Sequence, residues 1–496
     1  MINLEKKALL VNRQIPHNLK SQLEQDYLPA YLVQRRWFAG KNQKCPELKI
    51  TDVFPTSVDG GPILMVFETV GDRPRSYFMP IGFKHTAIKP AVFICEIKLG
   101  SLLGYLVDAL EDDELLQQLV SNLESAADDG SEIDIGLCLE RNPGFPSKGV
   151  RTIKRFGAEQ SNSSIRFGDV ILKAYRRLQP GQQPELELGR FLSGAGNYIN
   201  APRVVGSLEI RASEPVTLCL FQEVIENIGD AWKITCGLLG RLAEHPASSE
   251  PHSQLMELAD RLGDRTARLH NSLGSGAAAE FSSEHIRAED AASWVHDICV
   301  SATRVLDQLA DHPGPLSRRL VARREDVIAE IRELSSLHVQ GRKIRLHGDL
   351  HLGQVLVTTD DVYIIDFEGE PLRSFEQRRE KFSPMKDVAG LLRSFDYARA
   401  ATDRHAFSIT GADIAGTVEE AKLILWKKYI LCASALVGDL TEAKKLLRIF
   451  LYEKTFYEIE YELANRPDWV DIPVSDALAL LDEDMGLRRD DGIMVW

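Results

Sequence analysis

The chain has 496 residues, 44% hydrophobic and 27% charged, with a formal net charge of −14. That length exceeds one ordinary hydrophobic core, so two or three domains are expected. The acidic balance, the lack of long basic runs and the absence of any apolar stretch near 18 residues argue against nucleic acid and membrane as partners, and with no leader pattern a cytoplasmic protein is expected.

Residues 1–30 read as helical and lead into RRWFAGK (35–41), a helix end with a buried Trp37–Phe38 pair and a glycine terminator. Between Leu48 and Leu99 the runs LKITDVFP, PILMVFETV, RSYFMPIGF and AVFICEIKL predict a small, largely antiparallel sheet. An amphipathic helix over Glu111 to Leu123 and an acidic linker, SAADDGSE (125–132), follow. A second sheet begins with GLCLE, GVRTIKRF and SSIRFGDVILKAY, the last with a hairpin turn at Phe167-Gly168-Asp169. PELELGRFL is a helix entered through Pro184, and strands at 203–210 and 216–225 complete the region. Beyond Gly229 the pattern is almost wholly helical, with helices expected at 230–245, 253–273, 288–312, 314–337, 384–403, 416–438 and 440–464, and an irregular tail after Asp468. The seven cysteines are scattered and contain no CxxC pair, so neither zinc nor a disulfide framework is expected; most read as buried thiols.

The one strand-borne interruption of the helical half is Ile344 to Pro371, IRLHGDLHLGQVLVTTDDVYIIDFEGEP. It reads as two short buried strands, the first ending in His347-Gly348-Asp349 and the second in Asp366-Phe367-Glu368-Gly369. Asp349 followed five residues later by the amide Gln354, then by Asp366, has the spacing of the protein-kinase catalytic loop and metal-binding Asp, with Gln for Asn and Glu368 for the second motif's Gly. Phosphoryl transfer needs a cation on the phosphates, metal ligands and a group that orients the attacking hydroxyl. Asp349 is the candidate for the last role, and Gln354, Asp366 and Glu368 offer the hard oxygen ligands that Mg²⁺ prefers. A single carboxylate at a strand end is usually a cap or a solvated side chain; the joint spacing makes that reading improbable here.

Lys173, in VILKAY after the hairpin, is placed to hold the phosphates of ATP, paired with Glu187 or Glu185, of which Glu187 is preferred. The turn before it carries Gln160, Ser161, Asn162, Ser163 and Ser164, small polar residues able to cradle phosphate where a glycine-rich loop would otherwise stand. Gln222, Glu223 and Val224 end the last strand of the N-terminal half and are the candidate hinge for adenine, an ordinary strand exit being the other reading. His347 and His351 flank Asp349; no third His or Cys has zinc spacing, which favours structural hydrogen bonding over metal, with substrate contact the other reading. Lys454, Tyr457 and Tyr461 share one helix face and suit a sugar as well as they suit a core.

HGDLHLGQ, IDFEGEP and SPMKDVAGLLRSFDYA (383–398) closely resemble the bacterial maltokinases, a branch of the aminoglycoside-phosphotransferase-like kinases. RRWFAGK, EQSNSSIRFGDVILKAYRRL, QEVIENIGDAW and LYEKTFYEIEYELANRPDWVDIP extend the resemblance through nearly the whole chain, in family order. It implies an α+β, bilobal protein-kinase-like fold: a β-rich cap (1–100), an intermediate nucleotide-binding subdomain (101–226) and a helical C-lobe (227–496). It also implies ATP-dependent phosphorylation of maltose at its anomeric hydroxyl for α-glucan synthesis; Mg²⁺ and a monomer are expected beside it, with trehalose synthase a candidate partner. A kinase of the same fold acting on glucosamine, an aminoglycoside or another small hydroxyl acceptor is the alternative. A catalytically retired nucleotide-binding partner of trehalose synthase is the third reading, which the intact Lys173, Asp349, Gln354 and Asp366 oppose. The segment RSFEQRREKFSP (373–384) departs from the pattern, and its Arg/Lys density is expected to serve phosphate or the loop itself.

Overall fold

A computed structural model of the chain describes residues 2–4, 14–38, 46–57, 61–85, 92–99, 101–128, 136–146, 149–157, 162–246, 248–334, 341–371, 373–405 and 413–482. It divides into two compact units, Met1–Arg190 with Pro202–Val224, and Phe191–Ala201 with Ile225–Trp496.

The first unit holds two sheets. In one, the strands run in the order Ile2–Leu4, Phe93–Leu99, Leu102–Asp108, Ser76–Lys84, Ile63–Thr69, Leu48–Pro55, antiparallel apart from the parallel first pair. The strand Leu102–Asp108 was not expected from the sequence, and the boundary drawn at residue 100 falls inside its hairpin with Phe93–Leu99. One face of this sheet buries Met65, Phe67, Tyr77, Met79 and Ile97 against Leu19, Leu28, Leu32, Trp37 and Phe38. The Phe38 and Tyr77 rings lie 5.0 Å apart. Each such buried side chain contributes about 1.5–3 kcal/mol of transfer free energy, enough to fix the Trp37–Phe38 pair as core. Residues 39–41 of that motif lie outside the described residues. The N-terminal region is less helical than expected: Ile2–Leu4 is a strand, and helical structure begins at His17.

The other sheet is fully antiparallel, in the order Leu137–Arg141, Val204–Ile210, Val216–Glu223, Val170–Tyr175, Asn162–Phe167, Ile153–Arg155. Its hairpin turns where expected, through Gly168 at φ +63°, a left-handed conformation that glycine adopts without strain. A two-residue strand, Arg177–Leu178, leaves this sheet and pairs with Ser76 and Tyr77 of the first.

The second unit is mainly helical. Ser249–Leu273 packs on Ile414–Cys432, and Met385–His405 packs on Leu440–Asn465. Two expected long helices are each broken, into Pro315–Ala322 and Arg324–Glu333, and into Ile414–Cys432 and Ser434–Val437. The tail is not irregular: Asp471–Asp482 is a helix that buries Val474, Ala477 and Leu478. Nor is the stretch Ile344–Pro371 this half's only strand pairing. Gly229–Asp230 joins Val355–Val357 and Val362–Ile364, and Glu284–His285 pairs with Arg342–Lys343. Among the described cysteines Cys95, Cys219 and Cys299 are buried, whereas Cys138 is exposed.

Candidate active site

In the first unit Lys173 stands on the central strand Val170–Tyr175, opposite Ser164, and is 6% exposed. Its ammonium lies 2.8 Å from Glu185 Oε2, which also accepts from the Tyr175 hydroxyl at 2.9 Å. The preference for Glu187 is therefore corrected. An α-helix turns about 100° per residue, so positions 185 and 187 point nearly opposite ways, and only Glu185, 1% exposed, faces the lysine. Removing either partner of such a pair costs about 3–5 kcal/mol. Asn162, Ser163 and Ser164 lie on the strand beside Lys173, and Ser163 Oγ accepts from Arg176 Nε at 2.8 Å. Gln160 and Ser161 lie outside the described residues. At the expected hinge, Gln222 is buried, the Glu223 N–H donates to Arg203 O and the Val224 N–H to Asp169 O, each at 3.0 Å. Those two donors are engaged within the protein, so the expectation that they would bind adenine is corrected to exclude them.

In the second unit the apolar lead-in Ile344–Leu346 is not a ladder strand; Ile344 makes a single bridge to Phe382. The loop it enters turns at Gly348, φ +84°. A Cβ there would sit 3.3 Å from the Gly369 Cα, so the two acidic loops touch backbone to backbone. Asp387, absent from the sequence reading, braces the turn from below. Its Oδ2 accepts the His347 N–H and its Oδ1 the Gly348 N–H, both at 2.9 Å. His347 is 1% exposed, accepts from the Asp349 N–H at 3.3 Å and pairs through Nε2 with Ile365 O at 2.8 Å. Both ring nitrogens are occupied, which agrees with the favoured structural role and removes His347 from the substrate contacts. His351 is half-buried and its Nδ1 accepts from the Gly353 N–H at 3.0 Å. Burial pushes its pKa below the usual histidine range, against the opposing charge of Asp349.

Asp366 follows the strand Val362–Ile364 in a left-handed conformation, φ +66°, uncommon for any residue but glycine and best tolerated by Asn and Asp. Gln354 Nε2 donates to Asp366 Oδ2 at 2.9 Å, which brings the amide and the carboxylate together as their spacing predicted. A carboxylate oxygen of Glu368 lies within 4.8 Å of one of Asp366. Two carboxylates and an amide form a hard oxygen donor set that fits Mg²⁺. Arg378 ties down the loop beyond, donating to the carbonyls of Glu368 at 3.4 Å and Pro371 at 3.0 Å.

Asp349 is not alone. Lys454, from the helix Leu440–Asn465, places its ammonium 3.0 Å from Asp349 Oδ1 and 4.9 Å from the centre of the Tyr457 ring. Burial opposes that charge, yet Asp349, Glu370 and Glu458 outweigh it and raise the lysine's pKa above its usual range. Tyr461, a further turn along, is 40% exposed. Behind Lys454, Arg373 bridges Glu370 and Glu453, and Lys386 binds Glu453 at 2.6 Å. Asp349, Glu370, Lys386, Glu453 and Lys454 line a cavity of about 10 Å³, room for a single water.

The network has a pH signature. Burial alone would raise Glu370, but Lys386, Arg373 and Lys454 pull it down to about 2 from an ordinary 4.5. As pH falls the unfolded carboxylate takes its proton first, so this stabilisation is complete above about pH 4.5 and is lost on the way down toward 2. Glu370→Gln is therefore expected to lower Tm at neutral pH and to flatten its fall between about pH 5 and 3. An acid-side slope unchanged from wild type, read by calorimetry, would exclude the role.

A model of the phosphotransferase enzyme family matches residues 152–369, spanning Lys173 through the Asp366 loop, and one of the maltokinase N-terminal cap domain matches residues 31–112. Residues 152–369 thus carry a region of the phosphotransferase enzyme family, preceded by a maltokinase-type cap region. This phosphotransferase is 26% identical over 363 residues to a glucosamine kinase of Streptacidiphilus jiangxiensis, covering 71% of this chain and 78% of the relative. It is also 26% identical over 361 residues to a glucosamine kinase of Mycolicibacterium smegmatis, covering 70% and 86%. A solved glucosamine kinase superposes with a TM-score of 0.71 at 21% identity, over 93% of this chain and 99% of that one. Another, in complex with glucosamine, ADP and inorganic phosphate, gives 0.67 at 20% identity, over 91% and 99%. The fold is thus kinase-like, mixed α/β, with a β-rich N-terminal and a helical C-terminal region.

Sequence reasoning missed Asp387, Glu370, Arg373, Lys386 and Glu453 of the phosphotransferase. The signal was present in the unexplained charge density of residues 373–384 and in SPMKD, but ion pairs across 67 to 80 positions leave no local spacing to read.

Proposed function

We propose that this phosphotransferase transfers the γ-phosphoryl group of ATP to the anomeric hydroxyl of maltose, giving maltose 1-phosphate and ADP. Lys173, held by Glu185, takes the α/β-phosphates, and the strand end carrying Asn162, Ser163 and Ser164 borders them. Asp349 orients the sugar hydroxyl and accepts its proton as the O–P bond forms. Gln354, Asp366 and Glu368 hold Mg²⁺, which when bound neutralises charge developing on the phosphoryl oxygens. Lys454, Tyr457 and Tyr461 present one cationic and aromatic helix face to the acceptor. The cap comprises residues 1 to about 108, the nucleotide-binding sheet follows to 226, and the helical part carries the acceptor side.

The observation that carries a neutral sugar is the Lys454 ammonium 3.0 Å from Asp349. An amino sugar brings its own cation to the same carboxylate, and two like charges about 4 Å apart at the protein surface repel by a few kcal/mol. Glu370 and Glu453, the nearby carboxylates that could compensate, are engaged by Arg373 and Lys386. The maltokinase-type cap over residues 31–112 supports maltose among neutral sugars. The named relatives favour glucosamine as the second reading. Acceptor-dependent ADP release across maltose, glucose, glucosamine and an aminoglycoside separates the two. Turnover is expected with maltose, and activity confined to glucosamine would overturn the assignment.

A further inference from the structure

Beneath the turn that presents Asp349, three helices bring together a polar chain that the phosphoryl-transfer chemistry does not itself use. Tyr429, from Ile414–Cys432, sets its hydroxyl 2.8 Å from His270 Nδ1, and His270, from Ser249–Leu273, sets Nε2 3.2 Å from Asp387 Oδ2. All three side chains are at most 1% exposed, and the two rings meet edge to face with centroids 5.5 Å apart. A buried hydroxyl, imidazole and carboxylate in series is costly to assemble unless every member is satisfied.

The order of donors follows from the chemistry. Asp387 already accepts the His347 and Gly348 N–H groups, and Asp387 is held below the usual carboxylate range, burial being outweighed by His270 and these other partners. A charged carboxylate only accepts, so His270 donates through Nε2–H. Its Nδ1 is then an acceptor and takes the Tyr429 O–H, which burial and the Asp387 charge keep protonated. One tautomer satisfies all of these bonds.

We infer that His270 and Tyr429 are positioning residues for the phosphoryl-transfer step. They fix the rotation of the Asp387 carboxylate so that its two oxygens meet two successive backbone N–H groups, and that clamp sets the left-handed Gly348 turn which aims Asp349. Without the imidazole N–H the carboxylate can swing about its own bond. The loop then loses its brace without losing any group that touches substrate.

The inference rests on the assignment of Asp349 above, and its test is chosen to stand apart from it. An amide matches an imidazole in carrying one acceptor and one donor about 2 Å apart. His270→Gln is therefore expected to keep kcat within about threefold of wild type. His270→Leu should lose roughly ten- to a hundredfold, the scale of an ångström-level misplacement, with KM for ATP and acceptor nearly unchanged. Tyr429→Phe, which conserves packing, should lower kcat by a smaller factor in the same way. Independently of turnover, amide hydrogen exchange of the whole protein should show the His347 and Gly348 N–H groups protected in wild type and His270→Gln, and more than about tenfold faster in His270→Leu. Equal behaviour of the Gln and Leu variants, or unchanged protection in both, overturns the positioning role. Normal exchange behaviour with no turnover on any acceptor would instead overturn the assignment of Asp349.

Discussion

Asp366→Asn should lower kcat by roughly a thousandfold or more while the folded structure persists. Metal coordination contributes several kcal/mol of charge stabilisation at a transferring phosphoryl group, and each 1.4 kcal/mol is about tenfold in rate. The substitution suits the position. Asn tolerates the left-handed conformation at φ +66°, and its carbonyl still accepts the hydrogen bond that Gln354 Nε2 gives at 2.9 Å. Alanine would confound the test with backbone strain. The expected result is a Tm within about 2 °C of wild type, with turnover that no Mg²⁺ concentration restores. Activity near wild type would remove Asp366 from the metal site.

Asp349→Asn is the second large effect, with two separable parts. Loss of a positioned base lowers kcat by about 10²- to 10⁴-fold, with the KM for ATP preserved. Loss of the carboxylate's charge also leaves the mostly buried Lys454 ammonium without its nearest counter-ion, which costs on the order of 2 kcal/mol of stability. Adding Lys454→Met should recover that stability, seen as a higher Tm, and leave kcat depressed. A fall in ATP affinity with kcat intact would contradict the assignment of Asp349. Recovery of turnover in the double variant would do so as well.

The parts of the site that could be read from the chain are those with local spacing. Asp349, Gln354 and Asp366 are bound to one another by a hairpin and a short helical turn, so their separation in sequence is also their separation in space. Lys173 was legible because a two-residue hairpin fixes its register. The choice between Glu185 and Glu187 was not, since both fit the same helix and only packing shows which face turns inward. For His347 the structural reading was favoured but substrate contact stayed open, because sequence cannot show that both its ring nitrogens are engaged. The last helix, Asp471–Asp482, was taken for an irregular tail because Pro473 and three aspartates outweighed an apolar face that only packing reveals.

The strand Arg177–Leu178 gives the first unit a property its two matched regions would not suggest. Arg176 stands just ahead of that strand, fully buried, 2.7 Å from Asp108 and 4.9 Å from the centre of the Trp37 ring, while its Nε donates to Ser163. One guanidinium therefore draws on the cap for its counter-ion and on the second sheet of the same unit for its hydrogen bond. A cut between residues 112 and 152 would leave this cation buried in one fragment and its carboxylate in the other. The cap is not detachable cargo: its seam with the second sheet of this unit lies inside a buried core.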